Sequence, residues 1–414
     1  MVLEIEPESY QKASGLSRRE FLRIAFGTAV LLFVESIFPP ILTSCKPSEP
    51  EKTEDVYKPE KLKDKPGNAE IEMSYSTSDR NYRDKLYQAI SGSLRGKYLG
   101  DKKADISRLD KGSSFEIVIK TNFYEALKSL HEEKKKKIKK EKQKDWEEIS
   151  TRILNQYGNN FPNRINIFEY MRILDEIINS VKTLIPPEDK DKNNNWILVR
   201  KFLEKLKSYH LIAVILRELL PPLKSKEEIS INVEFFNILL TSAGTQFIEG
   251  IPSLHDEVIS FGPFQLSEII EESIKVFLKI KLLNKEGFKK SWRNLWKLPD
   301  NVEIEIPQSI KSVDGAWHYV WFIINIIIKL IYFMYLSYLE NKKEEEFKKV
   351  FEDKIINNEE NFMTFIALAH HRPGMLVNFI NSLINNQSIV FKDEIPQSYI
   401  ENIREYAKFL KNIA

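Results

Sequence analysis

Between Phe235 and Glu268 the chain gathers the residue types that acid–base chemistry on a polar substrate requires. An apolar run carries a carboxylate, Glu249, into a Gly250-Ile251-Pro252 break. His255, Asp256 and Glu257 follow, and then a tight glycine turn, Ser260-Phe261-Gly262-Pro263-Phe264-Gln265. A glutamic acid at the end of a hydrophobic helix can stay protonated, because burial disfavours its charged form. A glycine turn ending in a side-chain amide can fix a polar substrate beside it. Cleaving a glycosidic bond needs that pairing: an acid for the leaving oxygen and neighbours that orient the sugar. The same residues also suit a plain helix, loop and helix of an all-α domain, and the stretch alone leaves both readings open. Asp256 and Glu257 could serve as second carboxylates of an inverting hydrolase, although a loop setting suits exposed charges better.

A second constellation lies downstream, from Phe365 to Val377. A helix of small residues, Ala367-Leu368-Ala369, ends in His370-His371-Arg372, and Pro373-Gly374 opens the next helix. Adjacent histidines do not share a helix face. No third ligand stands at a sensible spacing, so no metal site is expected.

The elements that must position these residues read mainly as helices. Trp196 to Leu220 is one long helix stopped by Pro221-Pro222, with Glu218 near its end as another candidate acid. The helix leading to Glu249 begins near Ile231. Ala316 to Leu339 is apolar almost throughout. As a helix it is ~36 Å long, enough to cross a ~30 Å bilayer core. Lys329 near its middle would cost ~2.5–3.5 kcal/mol there, and His318 and Asn325 add to that, so a buried core helix is the better reading. Lys342 to Lys354 reads as a solvated charged helix.

Upstream, Tyr82 to Leu99 reads as a helix. Phe115 to Lys120 alternates like a single, isolated strand. Glu132 to Glu148 carries eight lysines between Lys134 and Lys144; it reads as a solvated helix face, or as a contact for anionic wall polymer or lipid headgroups. Residues 150–185 continue as amphipathic helix, and Pro186 to Asn195 is the clearest internal boundary.

Apolar residues make up 42% of the 414, enough for a sizeable core in about two domains. Sixty-two Lys and Arg against sixty Asp and Glu give a net charge of +2, too weak to suggest a nucleic-acid partner. No glycine-rich nucleotide loop, haem motif or cysteine cluster is present, so no cofactor is expected.

Ser17-Arg18-Arg19-Glu20-Phe21-Leu22-Arg23 precedes an apolar run, Ile24 to Phe38, that is short for a membrane span of ~20 residues and is interrupted by Glu35. The stretch resembles a twin-arginine translocation signal, with Arg23 where lysine is commonest. Leu42-Thr43-Ser44-Cys45 resembles a bacterial lipobox. Cys45 is the only cysteine, which excludes a disulfide framework and a CxxC metal site. These resemblances imply that residues 1–44 are a signal peptide. The mature chain would then start at an acylated Cys45 on the outer face of a membrane, the periplasmic side in a diderm. Residues 45–70, rich in proline and charge, read as a disordered tether.

The order of the two constellations resembles the lysozyme-like lytic transglycosylases, which cleave peptidoglycan with an acid at a helix end. Ser260 and Gly262-Pro263-Phe264-Gln265 match the family's turn, and Ala367 to Gly374 matches its later motif in outline. The resemblance covers roughly residues 200–395. It implies a mainly α fold: a lysozyme-like helical domain over residues 196–414, with an extra, mostly helical region over 71–195. It implies glycan strands of peptidoglycan as substrate and Glu249 as the one acid. That acid would protonate the glycosidic oxygen, then take the proton of the C6 hydroxyl to leave a 1,6-anhydro sugar. Phe247, Ile248, Ile251 and Phe264 would desolvate it. Gln265, in the turn of Ser260, Gly262 and Phe264, would orient the sugar, and His370 and His371 would contact N-acetyl or hydroxyl groups.

The chain departs from the family in three places. Gly250 stands where Ser usually follows the acid. His370-His371 replaces a Tyr-Asn pair. The interval from Gln265 to His370 is long, so Lys285–Glu360 is expected to contain an inserted helix. A different register sets Ser242-Ala243-Gly244 on the family's Glu-Ser-Gly triplet. That register implies an inactive lysozyme-like lipoprotein that binds cell-wall glycan or a protein partner. Glu249, sixteen residues before Gln265, fits the family's interval better.

Overall fold

The computed structural model describes residues 67–77, 79–92, 104–157, 166–182, 195–255, 258–267, 319–320, 322–327, 329–330, 344–387 and 394–414. Arg18, Arg19, Cys45, residues 45–66 of the expected tether, Asp256, Glu257 and most of Lys285–Glu360 lie outside them, and the end of the expected tether, from Asn68, is instead part of a strand. Pro66–Ala414 forms one compact unit, and it is mainly helical.

It begins with a three-stranded antiparallel sheet, β1 (Asn68–Ser76), β2 (Ala104–Lys111) and β3 (Ser114–Asn122), in the order β1-β3-β2. The alternating run at Phe115 is the central strand of this sheet rather than an isolated piece. Phe115, Ile117 and Ile119 bury one face completely, as period-two patterning requires. Gly112 takes φ +61° in the turn between β2 and β3, a conformation that favours glycine in a tight hairpin. Between β1 and β2 lies α1 (Arg80–Gly92).

Asn122 accepts the N–H of Glu125 at 3.0 Å and so caps α2 (Phe123–Lys135). The lysine-rich stretch is not one helix. It turns after Lys135 and resumes as α3 (Gln143–Gln156), because Ile138 is drawn into a buried cluster with Trp146 and Phe261. The expected helix over 150–185 is likewise two, α3 and α4 (Ile167–Lys182). Trp196–Leu220 also divides, into α5 (Asn195–Lys205) and α6 (Ser208–Leu219). The break has a polar cause. Asp175 accepts from the N–H of Ser208 at 2.8 Å and from its hydroxyl at 2.9 Å, and His210 Nδ1 accepts the N–H of Lys207 at 2.9 Å. These contacts satisfy groups that a continuous helix would have paired internally.

Next come α7 (Glu227–Leu239) and α8 (Ser242–Gly250). The loop expected after Glu249 is a second small antiparallel sheet, β4 (Pro252–His255), β5 (Val258–Phe261) and β6 (Leu266–Ser267). The described part of Ala316–Leu339 is helical and buried all round. Tyr319, Phe322, Ile323, Ile326, Ile327 and Leu330 are each at most 2% exposed. Among the described residues no helix is long and apolar enough to cross a membrane. Lys329, also buried, donates to the carbonyl of Ala369. Asn325 is fully buried, and neither atom of its amide is hydrogen-bonded.

α9 (Glu344–Phe351) runs into a π-helical turn, Glu352–Ile356. This segment is not simply solvated, because Phe351, Ile355 and Ile356 are buried. α10 (Glu359–His371) is capped by Asn358, which accepts the N–H of Asn361 at 3.0 Å. Pro373 then starts a short turn into α11 (Leu376–Ile384), and α12 (Glu394–Ile413) closes the chain against α6 and α10.

Two stability changes follow from this packing. A β-carbon at Gly244 would lie 2.2 Å from the carbonyl oxygen of Leu239. Backbone must move to admit it, so Gly244→Ala should cost about 3 kcal/mol in urea unfolding despite alanine's helix propensity. Asn325→Leu removes an unsatisfied amide from the core and should raise stability by about 1–2 kcal/mol in the same measurement.

Candidate functional site

The candidate acid sits on a short helix held at both ends. α7 stops at Leu239, Thr241 is extended, and Thr241 Oγ1 accepts the N–H of Gly244 at 2.9 Å to start α8. Tyr157 donates to the carbonyl of Ala243 at 2.9 Å, and the ring of Phe247 meets that of Phe123 at 5.3 Å. Glu249, the eighth of nine residues, is only 8% exposed. The residues expected to desolvate it, Phe247, Ile248, Ile251 and Phe264, are all buried.

The Gly262–Gln265 turn is tied to the residue two beyond Glu249. Gly262 N–H donates to the Ile251 carbonyl at 3.2 Å, and Gln265 Nε2 donates to the same oxygen at 3.2 Å. Gln265 Nε2 also donates to the Gly262 carbonyl at 2.7 Å. Both hydrogens of its amide are therefore engaged with backbone, and its Oε1 remains as an acceptor. Gly262 has φ +79° and Gln265 φ +49°. For a side-chain-bearing residue that conformation costs on the order of 1–2 kcal/mol, and these bonds, with a fourth from the Gln265 N–H to the Gly262 carbonyl at 3.0 Å, hold it. Ser260, 7% exposed, lies on β5 just before the turn.

Aromatic rings connect this turn to the core. Phe264 stacks on Phe322 at 4.0 Å and 12°, and meets Tyr319 edge-on at 5.6 Å. The phenols of Tyr319 and Tyr170 are hydrogen-bonded to each other. Burial pushes both phenols well above their ordinary range, and the nearby charge of Glu249 adds to the effect. The two tyrosines are thus neutral walls within electrostatic reach of Glu249.

Glu218 has a different setting. Its side chain is 15% exposed, receives His370 Nε2 at 3.3 Å and accepts from the hydroxyl of Tyr399. Burial pushes its carboxyl up. The hydrogen bond and charge of His370 outweigh that, with help from His371 and Tyr399, and hold it at about 2. Glu218 is thus held ionised by its partners, the opposite of the protonated state that the first step of a general acid needs. His371 stacks on Tyr399 at 4.2 Å and 17°, and the Arg217 guanidinium lies 5.0 Å from the same ring. Phe322 also meets His370 edge-on, at 5.2 Å. One ring thereby touches both sequence motifs, Phe264 of the first and His370 of the second.

The register alternative has a clear spatial meaning. Ser242 is the first residue of α8, roughly 10 Å along the helix from Glu249. Ile251, which receives the Gln265 turn, belongs to the Glu249 end. Among the described residues no group of three His, Cys, Asp or Glu could hold a metal ion.

Tyr170, Tyr319, Phe322 and His131 were not among the residues that sequence reasoning selected. Helical spacing marks the first three only as core. His131 lies on α2, is 1% exposed, and touches Ser150 through Nδ1 at 2.7 Å and the Gly250 carbonyl through Nε2 at 2.9 Å. Burial pulls its pKa down to about 4, against smaller upward pulls from the Gly250 hydrogen bond and Glu132.

That depression carries a pH dependence. Above pH ~6.5 the imidazole is neutral in both folded and unfolded chains. As pH falls from ~6.5 to ~4 the unfolded chain takes up a proton that the folded one refuses, so stability declines by about 3 kcal/mol and then levels off. Urea unfolding at stepped pH should show this component in the wild type and lose it in His131→Gln. Set against family models, curated proteins and solved structures, the chain matches none of them.

Proposed function

We propose that this chain is an exported, lipid-anchored enzyme that cleaves peptidoglycan glycan strands, with Glu249 as its single general acid and base on a lysozyme-like helical domain. The observation that carries the reading is the bonding of the Gly262–Gln265 turn to Ile251. It ties the turn that the resemblance assigns to substrate to the residue two beyond the candidate acid. Glu249 is nearly buried, and the residues expected to desolvate it, Phe247, Ile248, Ile251 and Phe264, are buried as well. Glu218, held ionised by His370, is left with a structural role. In the proposed reaction Glu249 protonates the glycosidic oxygen, then takes the proton of the C6 hydroxyl, which closes the 1,6-anhydro ring without attacking water. The twin-arginine motif and Cys45 supply export and anchoring in this reading.

A second reading has its own support. The donors of Gln265 are engaged with backbone, and His370 is engaged with Glu218. Such an interior suits a lipoprotein that keeps the scaffold to bind glycan or a partner, with Ser242 in the acid's place.

Purified protein incubated with sacculi separates the two. The first reading expects soluble anhydro-muropeptides, and a loss of about 10²–10⁴-fold in Glu249→Gln with sacculus binding retained. Binding without any release by the wild type would select the second.

A further inference from the structure

Glycine follows the candidate acid for a steric reason. A β-carbon at Gly250 would stand 2.7 Å from Leu127 Cδ2 and 3.0 Å from Ile153 Cγ2. Helices α2 and α3 approach the end of α8 more closely than a side chain at that position permits. The close approach lets His131, on α2, reach the Gly250 carbonyl.

The proton positions on this imidazole follow from its partners. A carbonyl only accepts, so Nε2 carries the hydrogen and donates to Gly250 at 2.9 Å. Nδ1 is then the acceptor, and it receives the hydroxyl of Ser150, on α3, at 2.7 Å. The ring is walled by Trp146 and Phe261, with centroids 5.3 and 6.0 Å away. Phe261 is the last residue of β5, directly before Gly262. His131 therefore touches the residue after Glu249 and the residue before the turn that carries Gln265. Carbonyls at a helix end lack partners within the helix, and here one of them is held by a donor whose own orientation is fixed.

We infer that His131, oriented by Ser150, is a positioning residue for Glu249, holding the end of α8 and the Gly262–Gln265 turn in one fixed relation. The inference rests on the proposed cleavage by Glu249. It gives α2 and α3, which lie outside the stretch resembling the transglycosylases, a part in the chemistry. They supply the clamp that keeps the carboxyl in line with the scissile oxygen.

The test compares full-length wild type, His131→Phe, His131→Gln and Ser150→Ala on soluble, uncrosslinked glycan strands. The assays run at a temperature where circular dichroism shows each protein folded. His131→Phe keeps a flat ring but loses the donor, and a shift of about 1 Å at the acid should lower kcat about 100-fold. KM should stay within about threefold, since substrate binding is not the step affected. His131→Gln keeps an N–H for Gly250 and should recover kcat to within about tenfold of wild type; Ser150→Ala should fall between. If His131→Phe does not fold, the comparison of His131→Gln with Ser150→Ala decides. Wild-type kcat in folded His131→Phe, or losses confined to KM, would overturn the inference alone. No cleavage by the wild type would overturn it together with the proposed function.

Discussion

The packing of two helices against Gly250 sets the geometry of everything around the candidate acid. Leu127 and Ile153 press on a position with no side chain at the end of α8, and the chain leaves it as a strand. Pro252 then pairs with Phe261, which brings the Gly262–Gln265 turn back over Ile251. Phe264 projects from that turn onto Phe322, and Phe322 belongs to the buried helical segment that also meets His370. A single close contact between backbone and side chains thus fixes a series of aromatic contacts reaching the far motif. Interiors packed this densely transmit position with little slack.

Several polar groups in this interior are handled in pairs. Asp175 serves Ser208, Glu359 meets His210 at 2.8 Å and Lys205 at 2.8 Å, and Glu218 takes His370 and Tyr399. Removing His370 from beside Glu218 would leave a buried charge uncompensated, which is far costlier than never having had the pair. The two candidate acids sit in different surroundings. Both carboxylates end apolar helices. Glu218 meets His370 and the Tyr399 hydroxyl and is held charged, whereas Glu249 ends the short helix that precedes the second sheet.

Much of the fold was legible in the sequence where periodicity runs long. The alternation of Phe115, Ile117 and Ile119, the all-round apolarity of residues 319–330, and the stop at His371 before Pro373 all appear as read. The misreadings arose where a distant residue decides local structure. The break at Lys207 depends on Asp175 and His210, and the turn at Ile138 depends on Trp146 and Phe261. The strands β4 to β6 have at most four residues each, too few for a period to emerge. In the site, Glu249, the turn and the two histidines stood out because their types are unusual in apolar surroundings. Tyr170, Tyr319 and His131 did not, because on one strand of sequence a core aromatic and a functional one look alike. Gln265 was legible as a turn residue, but the engagement of its amide with its own backbone was not.

Lys329 has a consequence of a different kind. A helix that is apolar on every side offers its neighbours no reason to prefer one rotation or one offset over the next. Between Tyr319 and Leu330 the sequence holds one ionisable amine, and it reaches the Ala369 carbonyl near the end of α10. Sliding by one residue would swing that ammonium roughly 100° around the axis, away from its acceptor and into hydrocarbon. This buried helix is indexed, like a keyed shaft, by its single charge.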